Sequence, residues 1–189
     1  MKNKIIIVGA LIAVIASYLI LIDNNEVTAA DSQGQEVYEI KSVSPAVAGK
    51  IADFTWMENG KAMSFNDYTK DKIVFLNFWG TWCPPCRREI PDIIKISKEL
   101  EKEDFVVIGI ALERNPSTAV QQVGTYMKAK GINYKNFVNA DQLVRAYGGI
   151  QAVPTTFIIG KDGKVGEKIV GGRNYKQFMA SINKVMKAS

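Results

Sequence analysis

Cys83 and Cys86 are the only cysteines in 189 residues, and Pro84 and Pro85 separate them in a Cys-x-x-Cys spacing. Sulfurs so placed can close as a disulfide and reopen as a dithiol. Exchange with a partner disulfide needs a thiolate, an accessible sulfur and a second thiol to resolve the mixed disulfide. A purely structural disulfide closing so short a loop would stabilise little. The spacing therefore points to redox exchange. The pair lies between an apolar run, Ile73 to Phe78, and a helix-like segment from Arg87 to about Lys102. A helix N-terminus offers unpaired N–H groups and the positive end of the macrodipole, which favour an anion at Cys83. Cys83, at the exposed start of the turn, is then the nucleophile. Cys86, one turn inside the helix, is the resolving thiol. Pro84 and Pro85 remove two N–H groups and stiffen the loop, holding the pair near disulfide geometry in both redox states.

Composition excludes several rivals. Histidine is absent, which removes the commonest general base and the commonest metal ligand. Two cysteines cannot build a structural zinc site, and Arg87 stands where a haem-attachment motif needs histidine. A soft-metal clamp is the rival from another class; the missing histidine and the scarcity of methionine near the pair count against it. No cofactor or metal is expected. The net charge is +5, but no dense Lys/Arg block appears, so the basic bias reads as solvated surface and not as nucleic-acid binding.

The elements that must position the pair follow in chain order. Residues 1–22 read as a signal-anchor: Lys2 and Lys4 precede 18 uncharged, almost wholly apolar residues, Ile5 to Ile22, and Asp23 and Glu26 follow. That length is at the short end of a bilayer span and exceeds a signal-peptide core. The charge bias leaves the N-terminus in the cytoplasm and exports the rest, so the domain is expected on the extracytoplasmic (periplasmic) side of the cell membrane. The alternative is cleavage near Val27 to Ala30 and release. No cysteine lies here for lipid modification. Residues 23–47 are polar and acidic and read as a linker; Val37 to Ile40 alternates only weakly. The globular domain spans 48–189.

Within it, Ile51 to Met57 and Lys61 to Phe65 flank Asn59-Gly60, a hairpin signal. Ile73 to Phe78 and Phe105 to Leu112 read as buried strands. The helix after Cys86 carries Ile90, Ile93, Ile94 and Leu100 at helical spacing, with Pro91 inside it. Asn115-Pro116 starts a helix whose stripe is Val120, Val123 and Met127 and whose stop is Gly131. A short strand at 136–138, a brief helix at 141–147, strands at 155–159 and 165–170, and a final helix at 175–187 complete the domain. This order predicts an α/β sandwich with the cysteines at the carboxyl end of a central strand.

Phe78-Trp79-Gly80-Thr81-Trp82-Cys83-Pro84-Pro85-Cys86 resembles the active-site segment of the thioredoxin superfamily, and more narrowly its membrane-anchored TlpA/ResA/CcmG-like branch, over roughly residues 48 to 187. The resemblance implies a three-layer sandwich: a mixed central sheet flanked by helices, with an N-terminal β-hairpin and a central insertion near 113–140. Pro91 matches the family's helix-kinking proline. Val153-Pro154-Thr155-Thr156-Phe157 resembles the cis-proline loop, which lies against the cysteines and pairs its backbone with the substrate; the isomer of this bond stays open from sequence. Val153, Pro154, Pro84 and Pro85 are thus candidate substrate contacts. Trp79 and Trp82 read as an apolar docking rim for a protein partner, although Trp79 equally suits the core.

Asn77 occupies the position where thioredoxin carries a buried aspartate, and an amide cannot exchange that proton. Glu89 matches the glutamate that ResA-like proteins place beside their site. One turn from Cys86, it can handle a proton or raise the thiol pKa, or it simply favours the helix dipole. Glu113 reads as a solvated loop carboxylate. The resemblance further implies a monomeric protein-disulfide reductant, kept reduced by a membrane thiol donor and acting on substrates such as apocytochrome c during cytochrome c maturation. A broad-specificity oxidase or isomerase is the alternative, since Pro-Pro does not set the potential. A peroxidase lacks an evident arginine–threonine constellation.

Overall fold

The structure is a computed structural model that describes residues 37–46 and 50–189. The apolar run Ile5 to Ile22 lies outside them, and among the described residues no helix is long and apolar enough to cross a membrane.

Two sheets form. The larger has six strands in the order β1 (Val37–Glu39), β7 (Lys135–Val138), β6 (Phe105–Ala111), β5 (Ile73–Trp79), β8 (Thr155–Ile159) and β9 (Val165–Val170). The first four run parallel, and β8 and β9 each run antiparallel to the strand before. The smaller is an antiparallel sheet of β2 (Ser42–Ser44), β3 (Asp53–Glu58) and β4 (Lys61–Ser64). Asn59 and Gly60, both at positive φ, turn β3 into β4 as the Asn-Gly signal predicts.

Every residue of β5 is buried, as a strand covered on both faces requires. Its odd positions, Ile73, Phe75 and Trp79, join one core with α2 (Pro84–Glu99), α3 (Pro116–Lys130) and α5 (Tyr175–Ala188). Phe75 meets Phe178 of α5 edge-on at 5.0 Å. The even positions, Val74, Leu76 and Phe78, join a second core with Phe54 and Trp56 of β3, Phe65 of α1 (Phe65–Tyr68) and Leu143 of α4 (Asp141–Ala146). The expected mixed sheet between covering layers is therefore present. Its second face is covered mainly by the small sheet and two short helices.

Three readings need correction. Residues 37–44, read as linker, supply β1 and β2; the weak alternation there is enough because β7 and β3 provide the missing hydrogen bonds. The helix after the cysteines begins at Pro84 and ends at Glu99, because Cys83 caps it and proline is tolerated in the first turn. Val120 is 41% exposed, and Ala119 takes its place beside Val123 and Met127 in the stripe of α3. Asn115 caps α3 as expected, accepting a hydrogen bond from Ser117 N.

Candidate active site

Cys83 and Cys86 are joined in a disulfide at the start of α2. Pro84 and Pro85 fill the first helical positions and have no N–H to offer. The first amide available to the cap is Cys86 N, and it lies 3.3 Å from Cys83 Sγ. The sulfur thus takes the place of the oxygen of an ordinary N-cap. A thiolate there faces a donor and the positive helix end.

Neither sulfur is open to solvent in this oxidised form. Cys83 is 2% exposed and Cys86 fully buried, whereas the sequence suggested an exposed Cys83. The Val153–Pro154 peptide bond is cis, and Cys83 Sγ lies 3.5 Å from Val153 O. A loop seventy residues away in sequence covers the reactive sulfur, which no local pattern shows. Pro154 is buried, Val153 and Pro85 half-buried, and Pro84 exposed.

The two tryptophans have different fates. Trp82 is 42% exposed, its Nε1 donating to Leu112 O at 2.8 Å while the Arg114 guanidinium lies 4.9 Å from its ring centre. It folds back over Gly80, where a Cβ would come within 2.7 Å of Trp82 Nε1. Trp79 is fully buried and forms no rim. As an odd residue of β5 it points under the helices, donating from Nε1 to Asn136 Oδ1 at 2.8 Å. Gly109 makes the room, since a Cβ there would sit 2.0 Å from that oxygen.

Glu89 is 2% exposed. Asn77 Nδ2 donates to its Oε1 at 3.0 Å, and Arg173 N donates to its Oε2 at 3.3 Å. Burial pushes the carboxyl up to about 7; the donors from Asn77 and Arg173 oppose that rise without cancelling it. Asn77, unable to carry a proton itself, holds the residue that can. Its Nδ2 also donates to Thr156 Oγ1 at 3.0 Å, because β5 and β8 pair Asn77 with Thr156.

Glu113 is not a solvated carboxylate. Its two oxygens accept from Thr81 N at 2.8 Å and Thr81 Oγ1 at 2.9 Å, tying the loop before Cys83 to the end of β6. Arg173 escaped the sequence reading, and the roles of Thr156 and Glu113 were not read from it. Gly171-Gly172 was the available signal for the first: a Cβ on Gly172 would lie 3.6 Å from both Glu89 Oε2 and Pro85.

The chain is similar to known proteins. The AhpC/TSA family profile matches residues 47–168. The thiol-disulfide oxidoreductase ResA of Bacillus anthracis is 31% identical over 126 residues, 67% of this chain and 70% of that protein. ResA of Geobacillus thermodenitrificans is 34% identical over 143 residues, 72% and 78% of the two chains. The crystal structure of a thiol:disulfide interchange protein of the thioredoxin family from Chlorobium tepidum superposes with a TM-score of 0.64 at 33% identity, over 75% of this chain and 99% of that one. With such relatives, the lone pair of cysteines at the head of α2 is a redox centre and not a staple: the chain belongs to the thioredoxin-like AhpC/TSA family and is a thiol–disulfide oxidoreductase.

Proposed function

We propose that the protein is an extracytoplasmic protein-disulfide reductase, held at the cell membrane by residues 1–22. It keeps the cysteine pairs of exported polypeptides, apocytochrome c among them, reduced for cytochrome c maturation. The observation that carries this reading is the Glu89 carboxyl, buried one helical turn from Cys86 and held by Asn77 Nδ2 and Arg173 N, where burial pushes its pKa up to about 7. A proton acceptor poised at neutral pH next to the resolving thiol suits a dithiol that must react as a reductant.

In the forward direction the Cys83 thiolate attacks a partner disulfide. A sulfur–sulfur bond forms to Cys83, and the partner's leaving sulfur takes up a proton. Cys86 gives its proton to Glu89 and attacks Cys83 Sγ, which releases the partner's second thiol and closes Cys83–Cys86. Two electrons pass to the partner, and a membrane thiol donor returns them. Val153, with its carbonyl beside Cys83, and Pro154 line the strip along which an extended partner backbone would lie; Trp82 and Pro84 form the exposed border.

The test is to trap the partner. In a Cys86→Ser variant the mixed disulfide at Cys83 cannot resolve, and apocytochrome is expected among the captured proteins. Capture of many unrelated exported proteins without apocytochrome overturns the maturation role. Faster alkylation of Cys86 than of Cys83 in the reduced protein reverses the assignment of the two thiols.

A further inference from the structure

The chain has five arginines, Arg87, Arg88, Arg114, Arg145 and Arg173. Four of them lie on the helix that carries the cysteine pair or against Trp82 and Glu89 beside it. Arg87 and Arg88 follow Cys86 directly in α2, and both are exposed. Arg114 lies over the exposed ring of Trp82, the residue before Cys83. Arg173 lies against Glu89 through its backbone, and its Nη1 is held by the carbonyls of Gly171 and Gly172 at 3.4 and 3.0 Å. Among the described residues none of the four forms an ion pair with a carboxylate, and the Arg173 guanidinium acts on Glu89 only at a distance. All six ion pairs among the described residues use lysine instead, at Lys41, Lys95, Lys135, Lys161, Lys164 and Lys184. The carboxylates at the site are not free to neutralise this border: Glu113 has both oxygens on Thr81, and Glu89 is buried.

The choice of cation matters. A guanidinium is planar, always charged and less strongly hydrated than an ammonium, and it meets a carboxylate through two parallel hydrogen bonds. Four such groups on and beside the segment that carries the reactive sulfur, none of them in an ion pair among the described residues, form a surface complementary to acidic side chains. Resting on the reductase reading above, we propose that the arginine border selects polypeptide substrates whose disulfide is flanked by aspartate or glutamate, with Arg88 and Arg114 as the principal specificity residues. Arg114 in addition presents its charge on a flat aromatic platform, where a partner side chain can lie beside the sulfur.

The reaction is the exchange already described: protein dithiol and peptide disulfide give protein disulfide and peptide dithiol. The reduced full-length protein is mixed with three disulfide-closed Cys-x-x-Cys peptides flanked by Asp/Glu, by Asn/Gln or by Lys, and the second-order rate of peptide reduction is followed. At low salt the acid-flanked peptide is expected to react at least about tenfold faster than the neutral one, and the ratio should approach one near 1 M salt, where screening is complete within about 3 Å. In an Arg88→Glu/Arg114→Glu variant the preference should invert toward the Lys-flanked peptide, which a merely structural role, or a general effect on the thiolate, would not produce. Equal non-zero rates for acidic and neutral peptides at low salt, or an unchanged order in the charge-reversed variant, overturn the border as a specificity device and leave the reductase reading standing. Failure to reduce any of the three peptides overturns both.

Discussion

Glu58 and Glu89 are both withdrawn from solvent, yet the protein treats them in opposite ways. Glu58, on β3, accepts from Lys135 Nζ, from Trp56 Nε1 at 3.0 Å and from Tyr38 OH at 3.0 Å. Burial pushes its carboxyl upward, but the lysine and the two neutral donors outweigh burial and hold it below its usual value. Glu89 receives two neutral donors, an amide side chain and a backbone N–H, and its carboxyl rises to about 7. Depth of burial and a directly bonded ammonium make the difference. Bonded to Lys135, a half-buried carboxylate stays charged and fastens β3 to β7 and β1. Buried more deeply, with the Arg173 guanidinium acting only at a distance, the Glu89 carboxyl is left able to exchange a proton at neutral pH, one helical turn from Cys86.

The contrast fixes opposite pH dependences. For Glu89 the folded pKa is raised, so its contribution to stability is fully present below the unfolded value near 4.5 and is lost as pH rises through about 7. Glu89→Gln should remove a loss on the order of 3 kcal/mol over that window, visible as a flatter difference curve in denaturant unfolding of the oxidised protein from pH 4 to 8. An unchanged curve would mean that Glu89 is not held uncharged. The same variant should slow resolution of the mixed disulfide by roughly a hundredfold and erase a rate step near pH 7, read by stopped-flow exchange with a peptide disulfide. A wild-type step surviving in the variant would assign it to a thiol.

Glu58 runs the other way. Its folded pKa is lowered, so its contribution is present above the unfolded value and is lost as pH falls through the folded one. Lys135→Met should cost about 2 kcal/mol at pH 7, less in strong acid, and leave the exchange rate untouched, because the pair is partly screened and far from the chemistry in the fold. If exchange slowed in parallel, the two carboxyl regions would not be independent. The smallest effect is expected at Glu113, where Gln keeps one acceptor for Thr81. Glu113→Gln should lower stability by about 1 kcal/mol, measured by thermal unfolding.

Much of the frame was legible because it is written locally. A nearly all-apolar run between turn signals marked β5, Asn59-Gly60 marked the β3–β4 hairpin, and Asn115-Pro116 and Gly131 marked the ends of α3. Boundaries slipped where a local signal was ambiguous: two prolines before Arg87 look like a helix that has not begun, and a cysteine is not read as a cap. The strand at Val37 showed only as a weak alternation and the one at Ser42 was missed, because short segments with weak patterns become strands only when a partner edge exists.

By itself, the sequence determined the reaction class, since two lone thiols at a strand–helix junction have few other uses, and it marked the distant Val-Pro that closes over them. The tertiary structure decided how that chemistry is set up. Register between β5 and β8 brings Asn77 to Thr156; the pleat sends Trp79 inward, while Trp82, in the turn beyond the strand, stays outside; the Gly171-Gly172 turn brings Arg173 N to Glu89. Each of these joins residues roughly eighty positions apart or depends on which face of a strand is covered. Burial and donor count are properties of the assembled neighbourhood, and they, more than the identity of the glutamate, place its proton in the neutral range.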